Sequence, residues 1–211
     1  MTTLTIFGAG NMARGIATRA LAGGNTVQII APSADRAAAL AGELSAQGQV
    51  TAGAHGEAPA GEVVVLAVPY GAAAGLVERH GADLGGKVVV DISNPLNETY
   101  NGLVTPAGSS AAEEIAKVAP AGAKVVKAWN TTFAGTLVAG QGGGHVLDVF
   151  VAGDDADAKA VVTGVVEAGG SRAIDAGPLS AARALEAFQL LHIGLQFSRG
   201  TQFGSAVKIV D

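Results

Sequence analysis

Short runs of β-branched residues alternate with alanine-rich stretches along most of the chain. Leu4 to Phe7 reads as a first strand. Asn11 to Ala22 reads as a helix, with Met12, Ile16 and Ala20 at four-residue spacing and Gly23-Gly24 as its stop. Val27 to Ile30 is a second strand, Ala34 to Ala46 a helix with separated polar and apolar faces, and Val50 to Ala52 a weak third strand. Val63 to Val68 is almost wholly apolar, and Val88 to Ile92 repeats that character, as expected of parallel strands covered on both faces. Ser110 followed by Glu113 fits a capping box that opens a helix, and Lys124 to Ala128 is another strand. Residues 131–144 are rich in Gly and Thr and read as loop. Val149 to Ala152, Asp155 to Ala168 and Ser171 to Asp175 form one more β-α-β unit, followed by a long helix from about Ser180 to Phe197. The alternation predicts an α/β protein: a doubly wound, mainly parallel sheet with a small C-terminal β-α-β plus helix region. A boundary near 130–147 divides it into residues 1–130 and 131–211.

The segment Gly8-Ala9-Gly10-Asn11-Met12-Ala13 places chemistry on this pattern. It is G-x-G-x-x-A, directly after a strand and directly before a helix. The first glycine permits the tight turn, the second lets backbone approach a pyrophosphate, and small Ala13 lets helix and strand pack closely. Free N–H groups at the helix start then face the phosphates. In this context the motif marks residues 1–130 as a Rossmann domain that binds NAD(P). An ordinary glycine-rich turn is the competing reading. NAD enzymes usually carry Asp or Glu at the tip of the second strand, for the ribose 2′-hydroxyl. Here the tip is Ile30-Ala31-Pro32, with Ser33 and Arg36 beyond it. Those two could hold a 2′-phosphate, which favours NADP over NAD. Equally, Ser33 could be a helix cap and Arg36 a solvated helix residue. Val68-Pro69-Tyr70 and Ser93-Asn94-Pro95 lie at the carboxyl ends of strands, where open α/β sheets bind ligands, although Asn-Pro also suits a turn.

Composition narrows the partners. With 49% hydrophobic and 15% charged residues the chain is not disordered. A net charge of −5 without a basic cluster disfavours nucleic acid and anionic membrane. The absence of cysteine removes disulfides, thiolate nucleophiles and Cys-based zinc sites, and suits a cytoplasmic protein. The apolar stretch from Val63 to Val77 contains Pro69, Gly71 and Gly75 and is shorter than the ~20 residues of a spanning helix. No signal peptide is expected, because the apolar start at Leu4 to Phe7 runs straight into glycines.

Five segments carry a resemblance. Gly8-Ala9-Gly10-Asn11-Met12, Asp91 to Asn97 (DISNPLN), Val126 to Thr131 (VKAWNT), Ala152 to Asp155 (AGDD) and Asp175 to Leu179 with Ala182-Arg183 occur in that order. Together they resemble the NADPH-dependent reductases of the deazaflavin coenzyme F420. The resemblance implies pyrophosphate binding at Ala9 to Met12, and nicotinamide near Val68, Pro69 and Ala128. It places the second acceptor at Asn94-Pro95 and Asn130, with residues 131–211 closing over it. Two features depart from the family. Ala31-Pro32 stands where many members have Ser-Arg, and Asn130 where archaeal members have His. The acceptor is therefore open among F420, a flavin, a quinone or another small molecule. Hydride transfer between two cofactors needs little from side chains, and no catalytic residue is assigned.

The remaining polar residues have plainer readings. His55, His80, His145 and His192 show no metal-ligand spacing, and His192 reads as a satisfied core residue. Asp154-Asp155 reads as a helix cap, and Arg183 with Glu186 as an i, i+3 pair. Leu185, Phe188, Leu191, His192 and Leu195 form an apolar stripe that must be buried on the protein's own sheet or in a homodimer. Two other functions compete: a pyrroline-5-carboxylate-reductase-like enzyme, whose opening is similar, and a non-catalytic NADP-binding redox sensor.

Overall fold

The computed structural model describes residues 1–54 and 56–210, so His55 lies outside the described residues. The chain begins β1 (Thr3–Phe7), α1 (Asn11–Ala22), β2 (Thr26–Ile30), α2 (Ala34–Leu44), β3 (Val50–Gly53), β4 (Val63–Leu66), α3 (Tyr70–His80) and β5 (Val88–Asp91). It continues α4 (Ala111–Val118), β6 (Lys124–Lys127), α5 (Ala134–Ala139), β7 (Gln141–Gly142), β8 (His145–Val146), β9 (Asp148–Gly153), α6 (Ala156–Ala168), β10 (Arg172–Gly177) and α7 (Ala182–Arg199). Eight strands form one sheet in the order β10-β9-β6-β5-β4-β1-β2-β3. Every neighbouring pair is parallel except β6 with β9. The expected doubly wound α/β architecture is therefore present, and β9-α6-β10 extends the same sheet.

The all-apolar strands explain the layering. Along β4, Val63 and Val65 join a core with Ile16, Leu137 and Val162, while Val64 and Leu66 join another with Phe7, Val77 and Ile115. Successive side chains of a strand point to opposite faces, so helices must cover both. After β3 the chain returns to the other side of β1, so the strand order reverses between β1 and β4. In such sheets a crevice opens there, at the carboxyl ends of the strands.

Three sequence expectations change. Residues 131–144, read as loop, contain α5, β7 and the turn that leads into β8. A Cβ on Gly15 would come within 2.8 Å of the Leu137 Cβ, so the bare α1 face lets α5 dock directly on it. Arg183 does not pair with Glu186. Its Nε donates to Glu113 at 2.8 Å, while Glu186 turns inward. The α7 stripe is divided, because Leu185 and His192 are buried whereas Phe188, Leu191 and Leu195 are exposed. Among the described residues no helix is long and apolar enough to cross a membrane.

Candidate functional site

The first strand delivers its chain into a turn that only glycine fits. Gly8 has φ of 120°, and a Cβ there would stand 2.2 Å from the Ala67 carbonyl oxygen at the end of β4. Gly10 is different. Its φ of −94° is open to any residue, and an added Cβ meets no atom within 4 Å. The space above Gly10 is thus free of protein, as a phosphate-binding turn requires. No side chain caps α1 and no acidic residue lies in its first turn. Its leading N–H groups and positive dipole end are therefore available to an anion. Ala13 is buried behind the turn, so the third small residue packs as expected.

Two cavities flank this loop. The first, of about 310 Å³, lies between the end of β2 (Ala31, Pro32) and α3 (Gly71, Gly75, Arg79), and Gly8 and Val68 border it. The second, of about 330 Å³, is lined by Met12, Asn94, Asn130 and Phe133, and by Gln189, Ile193 and Phe197 of α7. Tyr100 and Phe203 complete its rim. Asn94 and Asn130 are 36 residues apart in sequence, yet they clasp each other. Asn130 Nδ2 donates to Asn94 Oδ1 at 3.0 Å, and Asn94 Nδ2 donates to the Asn130 carbonyl at 2.9 Å. The buried Asn130 Oδ1 has no partner among the described residues. Trp129, just before it, has φ of 58°. A bulky residue in the left-handed region is strained, and such strain gathers at ligand sites.

Beneath the clasp lies a charge cluster at the tips of β5 and β6. Asp91 and Lys127 are register partners on those strands. Lys127, Asp91 and Glu186 are all fully buried. Lys127 Nζ donates to Asp91 Oδ2 at 2.6 Å, Glu186 Oε1 at 2.7 Å and the Ser93 carbonyl at 2.5 Å. The Ala111 amide donates to both oxygens of Glu186, and Ser93 donates twice to Asp91. Burial pushes the Glu186 carboxyl above its ordinary range, against the pull of Lys127. The cluster fastens α7 to the strand tips and holds the loop that carries Asn94.

The other residues singled out from sequence fall as follows. Ser33 caps α2, its Oγ accepting the Arg36 amide at 3.3 Å. Arg36 is exposed, and neither it nor Ser33 borders the first cavity. Val68 borders the first cavity and not the second, and Pro69 is exposed at the start of α3. Ala128 is wholly buried in the core, and Pro95 is buried, with its carbonyl accepting the Val104 amide. His192 is a satisfied core residue, its ring nitrogens 3.0 Å from Gln189 Oε1 and 2.9 Å from Ser205 Oγ. Asp155 caps α6 through the Ala158 amide at 2.9 Å. Sequence reasoning missed Lys127, although a lysine ending an apolar strand beside one ending in Asp91 is a signal of a buried pair. It also missed Arg79, Gln189 and Phe203, which only the fold brings to the crevice.

Comparison with known proteins agrees with this geometry. Residues 3–95 match the family of coenzyme F420-dependent NADP oxidoreductases. The chain is 32% identical to the F420-dependent NADP reductase of Methanocaldococcus jannaschii over 156 residues, covering 72% of this chain and 69% of that protein. It is 34% identical over 188 residues to the metalloreductase STEAP3 of Rattus norvegicus, covering 88% of this chain but only 36% of the rat protein's length. A crystal structure from Arthrobacter sp. FB24, of a candidate F420-dependent NADP reductase, superimposes with a TM-score of 0.85. It has 30% identity and full coverage of both chains. With the glycine loop, the uncapped α1 and the two flanking cavities in place, the chain belongs to the coenzyme F420-dependent NADP oxidoreductase family.

Proposed function

We propose that the protein transfers hydride between NADP(H) and a deazaflavin or flavin-like acceptor. The observation that carries this reading is the pair of cavities on either side of one unobstructed, anion-ready glycine loop. A dinucleotide fits that arrangement: adenosine in the cavity between β2 and α3, pyrophosphate over Gly8 to Met12, and nicotinamide toward the second cavity. When bound, it supplies the hydride chemistry. The protein's own residues do the rest. Backbone N–H groups of α1 hold the pyrophosphate, and Phe133, Ile193 and Phe197 give the second cavity an apolar wall. The Asn94–Asn130 clasp offers the amide oxygen of Asn130 to a donor on the acceptor. Proximity and orientation supply the acceleration, so no acid–base pair is required. Thr132 and Phe133, with Gln189, Ile193 and Phe197 of α7 and Phe203 beyond it, form the far wall over the acceptor. The exposed Phe188, Leu191 and Leu195 face of α7 also fits a homodimer.

Calorimetric titration with NADP(H) and NAD(H), followed by the near-ultraviolet absorbance of NADPH with a panel of acceptors, tests the reading. The panel is F420, FMN, a quinone and, because one relative is a metalloreductase, a ferric chelate. Dinucleotide binding with turnover of F420 or FMN supports the proposal. A protein that binds neither dinucleotide refutes it, and one that binds NADPH but reduces nothing in the panel is better read as a sensor.

A further inference from the structure

Among the described residues, the lining of the cavity between β2 and α3 is apolar or glycine except for the side chain of Arg79. Gly71, Gly75 and Arg79 recur at four-residue spacing and so share one face of α3. A Cβ on Gly71 or Gly75 would meet no atom within 4 Å, so this face is bare until it ends in a guanidinium. Glycine inside a helix is unfavourable, and a flat ligand lying on the bare face would account for two of them. Among the described residues the opposite wall offers no charge. Ala31 has no polar side chain, and Pro32 has no N–H to donate. Arg36 and Ser33 both stand outside the lining, Ser33 with its oxygen accepting the Arg36 amide as the α2 cap.

We infer that Arg79, projected from α3, is the residue that reads the 2′-phosphate of NADP, a role that sequence reasoning gives to Arg36. The inference rests on the dinucleotide reading above. Adenosine placed against Gly71 and Gly75 brings its ribose toward the end of β2, in a cavity that Pro32 and Arg79 both line. A guanidinium is permanently charged and matches phosphate oxygens with two parallel N–H groups, so it distinguishes a phosphate from a hydroxyl strongly. One such contact favours NADPH over NADH by roughly ten- to hundredfold.

The test titrates the full chain with NADPH, NADH, 2′,5′-ADP and 5′-AMP, using wild type, Arg79→Ala, Arg36→Ala and Gly75→Leu. Arg79 and Arg36 are exposed and Gly75 faces open space, so all three variants should fold, which thermal melting checks. Wild type should prefer NADPH. Arg79→Ala should weaken NADPH and 2′,5′-ADP by about tenfold or more while leaving NADH and 5′-AMP unchanged. Arg36→Ala should keep the preference, and Gly75→Leu should weaken all four ligands by filling the bare face. The inference is overturned if Arg79→Ala keeps the wild-type ratio, or if it weakens NADPH and NADH equally, as a cation stacked over the adenine would. Loss of the preference in Arg36→Ala alone also overturns it, as does a wild type that binds NADPH and NADH equally. A wild type that binds none of the four ligands instead defeats the dinucleotide reading itself.

Discussion

Replacing Lys127 by Met keeps most of the side-chain volume and removes the only cation of the buried cluster. Three hydrogen bonds are lost, at 2.5–2.7 Å, and two carboxylates remain in a fully buried site. Their nearest oxygens, bonded to the same Nζ at 2.6 and 2.7 Å, lie no more than about 5.3 Å apart, so two like charges there repel by at least about 3 kcal/mol at an effective dielectric of about 20. Loss of one partner from a buried ion pair typically costs about 3–5 kcal/mol, a large part of the roughly 5–15 kcal/mol that stabilises a domain. The amides of Ala111 and Ser93 still hold the carboxylates, so collapse into a cavity does not relieve the charge. Protonation does. With the lysine gone, the Glu186 carboxyl, already raised by burial, rises further. A raised carboxyl pKa means the folded state binds the extra proton, so stability falls as pH rises between the unfolded and folded values. Urea unfolding of Lys127→Met should therefore show a deficit of about 3–5 kcal/mol near neutrality that narrows toward about pH 5. Lys127→Met combined with Asp91→Asn and Glu186→Gln should recover part of it. A deficit below about 1 kcal/mol, or one that does not change with pH, would refute the account of the cluster as a fully desolvated charge site.

Gly10→Val should fold with near-wild-type stability, since its φ is permissive and its Cβ space is empty, yet bind no dinucleotide by calorimetry; retained affinity would move the pyrophosphate elsewhere. At Asp148, burial pushes the carboxyl up but is outweighed by hydrogen bonds from Arg172, Lys208 and the Ile209 amide, which hold it well below the usual range. A depressed pKa gives stability that is complete above the unfolded value of about 3.9 and lost as pH falls through the lower folded one. Asp148→Asn should thus cost about 2 kcal/mol near neutrality, with a difference from wild type that shrinks as acid titrates the native carboxylate; a constant difference would exclude the ionic contribution. Leu191→Glu should convert a dimer to monomer in light scattering without altering the melting of the monomer, and a wild type already monomeric would remove the dimer reading.

The parts of this fold that the sequence reveals are those encoded locally. The strand–glycine–helix opening needs only a dozen neighbouring residues, and α1 begins and ends where its spacing and glycines put it. The same holds for the caps at Ser110 and Asp155, each of which bonds the amide three residues on. What escaped is decided by partners far along the chain. α5 has six residues and no periodicity to betray it, and it exists because Gly15 on α1 lets Leu137 approach. Arg183 and Glu186 are correctly spaced to pair, but Glu113 and Lys127 offer each a better partner from another element. Arg79 lies 71 residues beyond Gly8, on a helix whose position beside β2 follows only from the strand order.

The anchoring of α7 has a mechanical consequence. The helix is held to the sheet at Glu186, while Phe197, eleven positions on, borders the second cavity. At a rise of about 1.5 Å per residue the arm beyond it is about 16 Å long, steadied where His192 packs on Phe133 and meets Ser205. Rotating that arm by about 5° about its fixed point sweeps its tip through about 1.4 Å, against the roughly 1 Å error that can cost a hundredfold in a reaction governed by alignment. Substitutions at the fulcrum can therefore alter turnover without touching either ligand, with Lys127, Asp91 and Glu186 acting as the bearing on which the distal wall is aimed.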